Sequence, residues 1–307
     1  MKAIESFKPG EPDRSGKTVK LKAIHIAFLC SMMFVSWSLA QQDDFPFLRG
    51  PYLGQKLPGM TAVIFAAGFV SKRGFDEWGL AVNGDWTEIF FSRAEDDRAS
   101  IMHTERLADS WSELKVAAFS GQNNDSHPVF SPDGLKLFFG SKRPCPGAKG
   151  EFNIWYSEKV NQIWNSPKSL GHPFIDQTVH APSLSPDGDI YASGLVVFLK
   201  KSSGYEGPIK LIPHIAGQQP AVSPDGSYIV FSKRERDGFG GTDLYVSLKE
   251  SDGCWSLPLN LGKEINTEYV ESSPTISLDG RFLFFSRNGD IWWVSTGAID
   301  KVRAHKE

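Results

Sequence analysis

Cysteine is scarce, with three in 307 residues, too few for a disulfide scaffold. There is no excess of positive charge either: 33 Lys and Arg face 36 Asp and Glu, a formal net charge of -3. A nucleic-acid partner, which calls for a concentrated basic surface to displace counterions, is therefore not expected. Gly-x-Ser-x-Gly, His-Glu-x-x-His, Cys-x-x-Cys and the phosphate-binding P-loop are all missing, so none of those catalytic classes is signalled. The glycine-rich residues 238–241 lie between two strand-like runs and not ahead of a helix, the wrong context for a phosphate cradle. What is present is 40% hydrophobic and 12% aromatic residues together with 29 Gly and 19 Pro. Many turns joined by short aromatic segments point to an all-β protein.

Long hydrophobic runs are limited to residues 23–39, which follow Lys17, Lys20 and Lys22 and end at Ser38-Leu39-Ala40. This pattern reads as a secretory signal cleaved after Ala40. A membrane anchor is the other reading, but His25, Ser31, Ser36 and Ser38 interrupt the run, which is marginal for ~30 Å of hydrocarbon. Cys30 lacks the preceding small residues that lipidation needs. The polar first 16 residues are foreign to a signal, and Val19 is the expected true start. The chain thus divides into an extension with its signal, 1–40, and a single domain, 41–307. That domain is expected in the periplasm or outside the cell, monomeric and without a stable membrane span.

Repetition dominates the rest. Ser131-Pro132-Asp133-Gly134, Ser185-Pro186-Asp187-Gly188, Ser223-Pro224-Asp225-Gly226 and Ser277-Leu278-Asp279-Gly280 share one frame. Each follows a short apolar segment opened by proline, such as Pro128-Val129-Phe130, and precedes a strand-like run such as Phe282-Leu283-Phe284-Phe285. A fifth, eroded copy surrounds Asn83-Gly84-Asp85-Trp86. Pro, Asp and Gly here are turn builders that reverse two antiparallel strands. A third segment begins Asn153-Ile154-Trp155, Asp243-Leu244-Tyr245 or Asp290-Ile291-Trp292, and a fourth often opens on Trp111, Trp164 or Trp255. Four strands per repeat with an aromatic belt describe a propeller blade.

The repeated Asp residues lie 48, 54, 38 and 54 positions apart, which divides residues 51–296 into about five units and favours five blades over six. The last repeat stops after its third strand, while Val63-Ile64-Phe65 occupies a fourth-strand position ahead of the first. An N-terminal strand is therefore expected to complete the C-terminal blade and close the ring without an exposed edge.

These repeats, the Gly238-Phe239-Gly240-Gly241-Thr242-Asp243-Leu244-Tyr245 segment, residues 255–262 and the ending Gly289-Asp290-Ile291-Trp292-Trp293-Val294 resemble TolB-like, WD-repeat-like propeller proteins of bacterial envelopes. The resemblance spans residues 51–295 and implies an exported envelope protein. Gly84 and Trp86 depart from the family turn, and no second module accompanies the propeller.

In an up-and-down blade, the loops entering the first strand and those joining the second to the third share the face opposite the turns. The entering loops place Glu77, Asp125, His127, His180, Gln218, Gln219 and Glu271 at the channel mouth; the others bring Arg93, Lys142, Lys233, Arg234 and Arg287 around it. Such a mouth suits a polar or anionic ligand, with an envelope protein or polysaccharide as partner and no cofactor. The leading expectation is a non-enzymatic binding or scaffold propeller. The alternative is a glycan-active hydrolase or lyase, with His127 and His180 as candidate ligands of a divalent metal. Cys145 and Cys254 fall on opposite faces and are not expected to pair.

Overall fold

The Ser-Pro-Asp-Gly turns behave as their chemistry demands. In the second repeat the Ser131 hydroxyl donates to Asp133 Oδ1 (2.5 Å) and accepts the Lys136 N–H (2.9 Å), while Asp133 also takes the Leu135 N–H (3.0 Å). Gly134 has φ +71°, open to glycine without strain, and donates its N–H to Ser131 O at 2.8 Å. The same bonds recur at Ser223 and Asp225 and at Ser277 and Asp279. In the eroded copy Asn83 replaces Ser, its Oδ1 accepting the N–H groups of Thr87 and Glu88. Trp86 stands at φ +56° where the glycine belongs. Tertiary contacts hold it there: the ring is 4% exposed, lies 4.4 Å from Tyr52, and donates Nε1–H to Asp279 of the last repeat.

In the computed structural model, which describes residues 48–304, these turns join the inner two strands of five antiparallel sheets. The proposed cleavage site at Ala40 and everything before it fall outside the described residues. Blade 1 comprises Asp76–Val82, Glu88–Glu95, Arg98–Leu107 and Ser110–Trp111, and blade 2 Asp125–Phe130, Lys136–Ser141, Asn153–Val160 and Ile163–Trp164. Blade 3 is Ser183–Leu184, Ile190–Ala192, Val196–Lys201 and Gly204–Lys210. Blade 4 is Gly217–Val222, Tyr228–Lys233, Asp243–Leu248 and Leu259–Asn260. Blade 5 takes Glu271–Ile276, Phe282–Arg287 and Asp290–Ser295 from the end of the chain and Val63–Ile64 from its start. Val63 pairs Trp293 and Ile64 pairs Trp292. The protein is thus an all-β, five-bladed propeller closed by its N-terminal strand, as the repeat spacing predicts.

The unequal repeat lengths have local causes. The 38-residue interval spans blade 3, whose second strand has three residues and turns at once into the third; the long intervals carry the excursions 142–152 and 234–242 between second and third strands. Asp243 organises the glycine-rich excursion: its carboxylate accepts N–H groups of Phe239 (2.7 Å) and Gly240 (3.1 Å) and the Asn260 amide (2.8 Å). That loop is a carboxylate nest, not a phosphate cradle.

Among the described residues, the buried apolar side chains form five clusters, one at each junction between neighbouring blades. The sequence holds no sustained periodicity that forecasts the C-terminal helix Gly297–Ala304, which seats Ala298 and Ile299 in the junction of blades 4 and 5. Cys145 and Cys254 are both free.

The junction of blades 1 and 2 also holds a buried polar staple. Glu88, 4% exposed, accepts from Lys159 Nζ (2.6 Å) and Trp164 Nε1 (3.0 Å), with His103 Nε2 3.4 Å away. Burial alone raises a carboxyl, but the hydrogen bonds from His103, Lys159 and Trp164 outweigh it and draw Glu88 down to about 2. The unfolded chain takes this proton first, so the contribution is complete above about pH 4.5 and lost as pH falls to about 2. Urea denaturation at pH 5 and pH 2.5 should show Glu88→Gln losing about 2 kcal/mol less on acidification than the parent.

Candidate functional site on the propeller axis

Every inner strand reaches the axis at one irregular residue. Gly79, His127, Ala181, Gln219 and Ser273, one per blade, have φ between 50° and 59°. In four blades the residue sits where the pairing to the second strand slips, a β-bulge that at His127, Gln219 and Ser273 turns the side chain toward the channel. Four of the five carry a Cβ in a conformation that favours glycine, at about 1–3 kcal/mol each, and such residues persist only where neighbours over-determine them. Here the neighbours are in other blades. The His127 N–H donates to Ser92 Oγ of blade 1 (2.8 Å), and the Ser273 N–H donates to Gln219 Oε1 of blade 4 (3.0 Å).

The axial side chains meet. His127 Nε2 lies 3.1 Å from Ser273 Oγ and 3.5 Å from the Gln219 amide nitrogen, while Nδ1 is 3.1 Å from Ser126 Oγ. The His180 ring, one residue before the irregular residue of blade 3, is 6.1 Å from His127 and 5.7 Å from Phe152. Trp78 closes the group 6.2 Å from His127. Burial, and secondarily the neighbouring His180, push His127 down to about 3, and burial lowers His180 as well. Both rings are neutral at physiological pH and serve as hydrogen-bonding groups. His180 Nδ1 and Ser193 Oγ are buried without a partner. Among the described residues no three His, Cys, Asp or Glu side chains converge as metal ligands.

The acidic and basic residues of the mouth have a different destination. Two positions before the bulge, Glu77, Asp125 and Glu271 are fully buried, and each pairs with an arginine on or just after the second strand of its own blade. Arg93 Nε meets Glu77 at 2.9 Å, Arg143 meets Asp125 at 3.0 Å, and Arg287 Nε meets Glu271 at 2.7 Å. Val179 and Gly217 take the acidic position in the remaining blades, leaving no such pair there. Lys142 reaches Glu151 (3.2 Å) and lies over Phe152, Lys233 pairs with Glu235 and lies over Tyr245, and Arg234 and Gln218 are exposed.

Of the residues that sequence position nominates, the fold gathers His127, His180 and Gln219 on the axis. It locks Glu77, Asp125, Glu271, Arg93 and Arg287 into pairs within their blades. Ser273, Ser92, Ser126 and Trp78 join the axial group without having been nominated. One signal was present: His127, Gln219 and Ser273 each immediately precede the proline that opens an inner apolar segment.

Below the axial group, on the side of the turns, the channel is walled by prolines and aliphatic side chains. A cavity of about 280 Å³ is lined by Pro132, Pro182, Pro186, Pro224 and Pro274 and by Leu80, Val129, Leu184, Val222, Ile276 and Leu278. The turn aspartates stand in the same loops, and hydrogen bonds from Ser131 and then the Leu135 N–H hold Asp133 below the usual carboxylate range. The channel thus offers a socket of prolines and aliphatic side chains on the turn face and a neutral polar floor.

No family model matches the chain, and no curated protein does. Solved structures do. TolB from Acinetobacter baumannii is 20% identical with a TM-score of 0.44, over 62% of this chain and 44% of that one, so the match spans less than half of the A. baumannii protein. A protein described as a TolB of Agrobacterium tumefaciens is 16% identical with a TM-score of 0.47, over 70% of this chain and 71% of that one. The catalytic domain of a Coprinopsis cinerea GH62 α-L-arabinofuranosidase is 12% identical with a TM-score of 0.52, over 78% of this chain and 99% of that one. At such identities the likeness is one of fold. The chain is a five-bladed β-propeller, similar in fold to the TolB proteins that its repeats resemble.

Proposed function

We propose that the chain is an exported, non-enzymatic binding propeller of a bacterial cell envelope, holding a protein or polysaccharide partner at the turn-face mouth of its channel. The observation that supports this reading is the socket of about 280 Å³ built from equivalent prolines and aliphatic side chains of successive blades. A rigid concave site of this composition suits binding. The buried mouth carboxylates are engaged by arginines, so they are not free to act as the acid and base of glycan cleavage. Residues 1–40 would carry the protein across the inner membrane. No helix among the described residues is long and apolar enough to cross a membrane.

The test joins binding to turnover. Immobilised protein should retain one envelope component, identified after crosslinking. Leu278→Asp, which places a charge in the socket wall, should weaken that retention at least tenfold, about 1.4 kcal/mol, measured where denaturation shows the variant still folded because Leu278 also packs against the core between blades 1 and 2. Undiminished retention by the variant would remove the socket from the reading, and hydrolysis of a glycan panel by the purified protein would replace a binding role with a glycan-active one. Protein recovered from the periplasm or medium should begin at Gln41.

A further inference from the structure

We propose that the partner held at the turn face is a basic polypeptide segment, with an aliphatic side chain in the socket and a lysine or arginine in each of two acidic grooves beside it. The inference rests on the socket reading and narrows its partner from a protein or polysaccharide to a cationic peptide chain.

The repeat that builds the socket also builds its rim. Pro132, Pro186, Pro224 and Leu278 line the socket, and each is followed directly by the aspartate of its turn, Asp133, Asp187, Asp225 or Asp279. Asp85 holds that place in the eroded copy, so every blade contributes one carboxylate. All five residues are exposed, and none joins an ion pair among the described residues. Their hydrogen bonds come from hydroxyls, from turn N–H groups and from the Trp86 indole, which orient a carboxylate without neutralising it. Burial alone would raise Asp225, but the bonds from Ser223 and Ser227 outweigh it and hold the group below the usual carboxylate range. In blade 3 the Ser185 hydroxyl accepts the Asp189 N–H (3.1 Å) instead, and Asp187 has no hydrogen-bond partner among the described residues.

Grooves lead outward from the socket between the turns. One of about 510 Å³ shares Pro132 and Leu278 with the socket. It sets Asp85, Glu88, Asp133 and Asp279 against Lys159, which Glu88 already binds at 2.6 Å. Another of about 450 Å³ shares Pro186 with the socket and sets Asp187, Asp189, Asp225 and Glu250 against Lys249. The groove between them, about 520 Å³, is balanced, since Asp133 and Asp187 there face Lys136 and Lys200. Negative charge therefore concentrates in two grooves with the socket between them. Leu135 in the first and Tyr191 in the second offer apolar surface to the stem of a long cation. An anionic polysaccharide would meet like charge here, and a neutral one would leave the carboxylates unanswered.

The test is an NMR titration of the purified protein with the acetylated and amidated peptide Gly-Lys-Leu-Lys-Gly, beside counterparts carrying Gln or Glu for Lys, or Gly for Leu. Peptides this short bind in roughly the millimolar range. The Lys peptide should shift the amides of Asp133, Asp225 and Leu278 and bind about tenfold tighter than the Gln peptide, the worth of two exposed ion pairs. That advantage should shrink as salt rises from about 0.02 M to about 0.3 M. The Glu peptide should not bind, and loss of the Leu side chain should weaken binding about threefold to tenfold. Asp85→Asn combined with Asp187→Asn removes one charge from each groove and should weaken the Lys peptide about threefold while leaving the Gln peptide unchanged. Equal binding of the Lys and Gln peptides would overturn the charge selection and leave the socket reading standing, as would tighter binding of the Glu peptide or of an anionic oligosaccharide at the same amides. Shifts confined to the opposite face, at Trp78 or His180, or no shifts with any peptide, would overturn both. Should the double variant fail to fold, the peptide series and its salt dependence still decide the proposal.

Discussion

Replacing Phe65 by alanine is expected to destabilise the propeller by about 3–5 kcal/mol, the cost of deleting a fully enclosed aromatic ring that its surroundings cannot collapse to fill. The ring is 0% exposed, 5.1 Å from Trp293 and 5.3 Å from Phe284, and the Phe65 N–H donates to Ile291 O at 2.8 Å. It belongs to the segment that closes the ring, where only Val63 and Ile64 pair with blade 5. Two ladder residues hold little by themselves, so closure rests on the side chains that follow them. Val63 makes the contrast: it pairs in the same strand but is 44% exposed, and Val63→Ala should change stability by less than about 0.5 kcal/mol. Urea denaturation of both variants checks this, and equal effects would mean that the ladder, not the buried ring, carries closure.

The blade number and the closing strand are legible in the sequence because they rest on residues with narrow conformational roles. Gly134, Gly226 and Gly280 recur at φ +71° because a left-handed turn position admits few alternatives, and each brings a serine and an aspartate that cap the same turn. Trp86 shows how that legibility ends. Nothing local permits tryptophan at φ +56°; the hydrogen bond to Asp279 and the edge-on contact with Tyr52 do, and they join residues 193 and 34 positions away.

The site is legible in proportion to how far each residue's role depends on register. His127 and Gln219 can be placed near the axis from strand order alone. That Glu77 turns away from the channel and faces Arg93 depends on the bulge that follows it, which displaces the pairing between Trp78 and Ala81. A strand of even alternation would have sent the same residues elsewhere. The fourth-strand ring of blade 3 escapes the tryptophan series because it is a tyrosine: Tyr205 pairs Lys200 as Trp164 pairs Lys159 and Trp111 pairs Arg106, an equivalence that only the strand register reveals.

The largest electrostatic effect is expected from Arg93→Met. Arg93 binds Glu77 at 2.9 Å, donates to Val70 O at 3.1 Å, and lies over the rings of Phe75 (4.8 Å) and Phe91 (5.4 Å). Burial pushes Glu77 up to about 7 even against the pull of Arg93. The folded state therefore holds this proton more tightly than the unfolded chain does. The stability it contributes is complete below about pH 4.5 and is lost as pH rises through about 7. Without the guanidinium the carboxylate has no compensating charge, its titration moves higher still, and breaking the pair should cost about 3–5 kcal/mol at pH 8. At pH 5, where Glu77 is protonated in the fold, the loss should be clearly smaller. Adding Glu77→Gln to the variant should recover most of the stability at pH 8, because an uncharged amide removes the stranded charge. Denaturation midpoints of the single and double variants at both pH values separate the causes: a pH-independent loss without rescue would assign the role of Arg93 to its packing against Phe75 and Phe91. The geometry is repeated at 2.7 Å by Arg287 with Glu271, and a loss of stability in Arg287→Met that Glu271→Gln recovers would make these pairs the internal struts of blades 1 and 5.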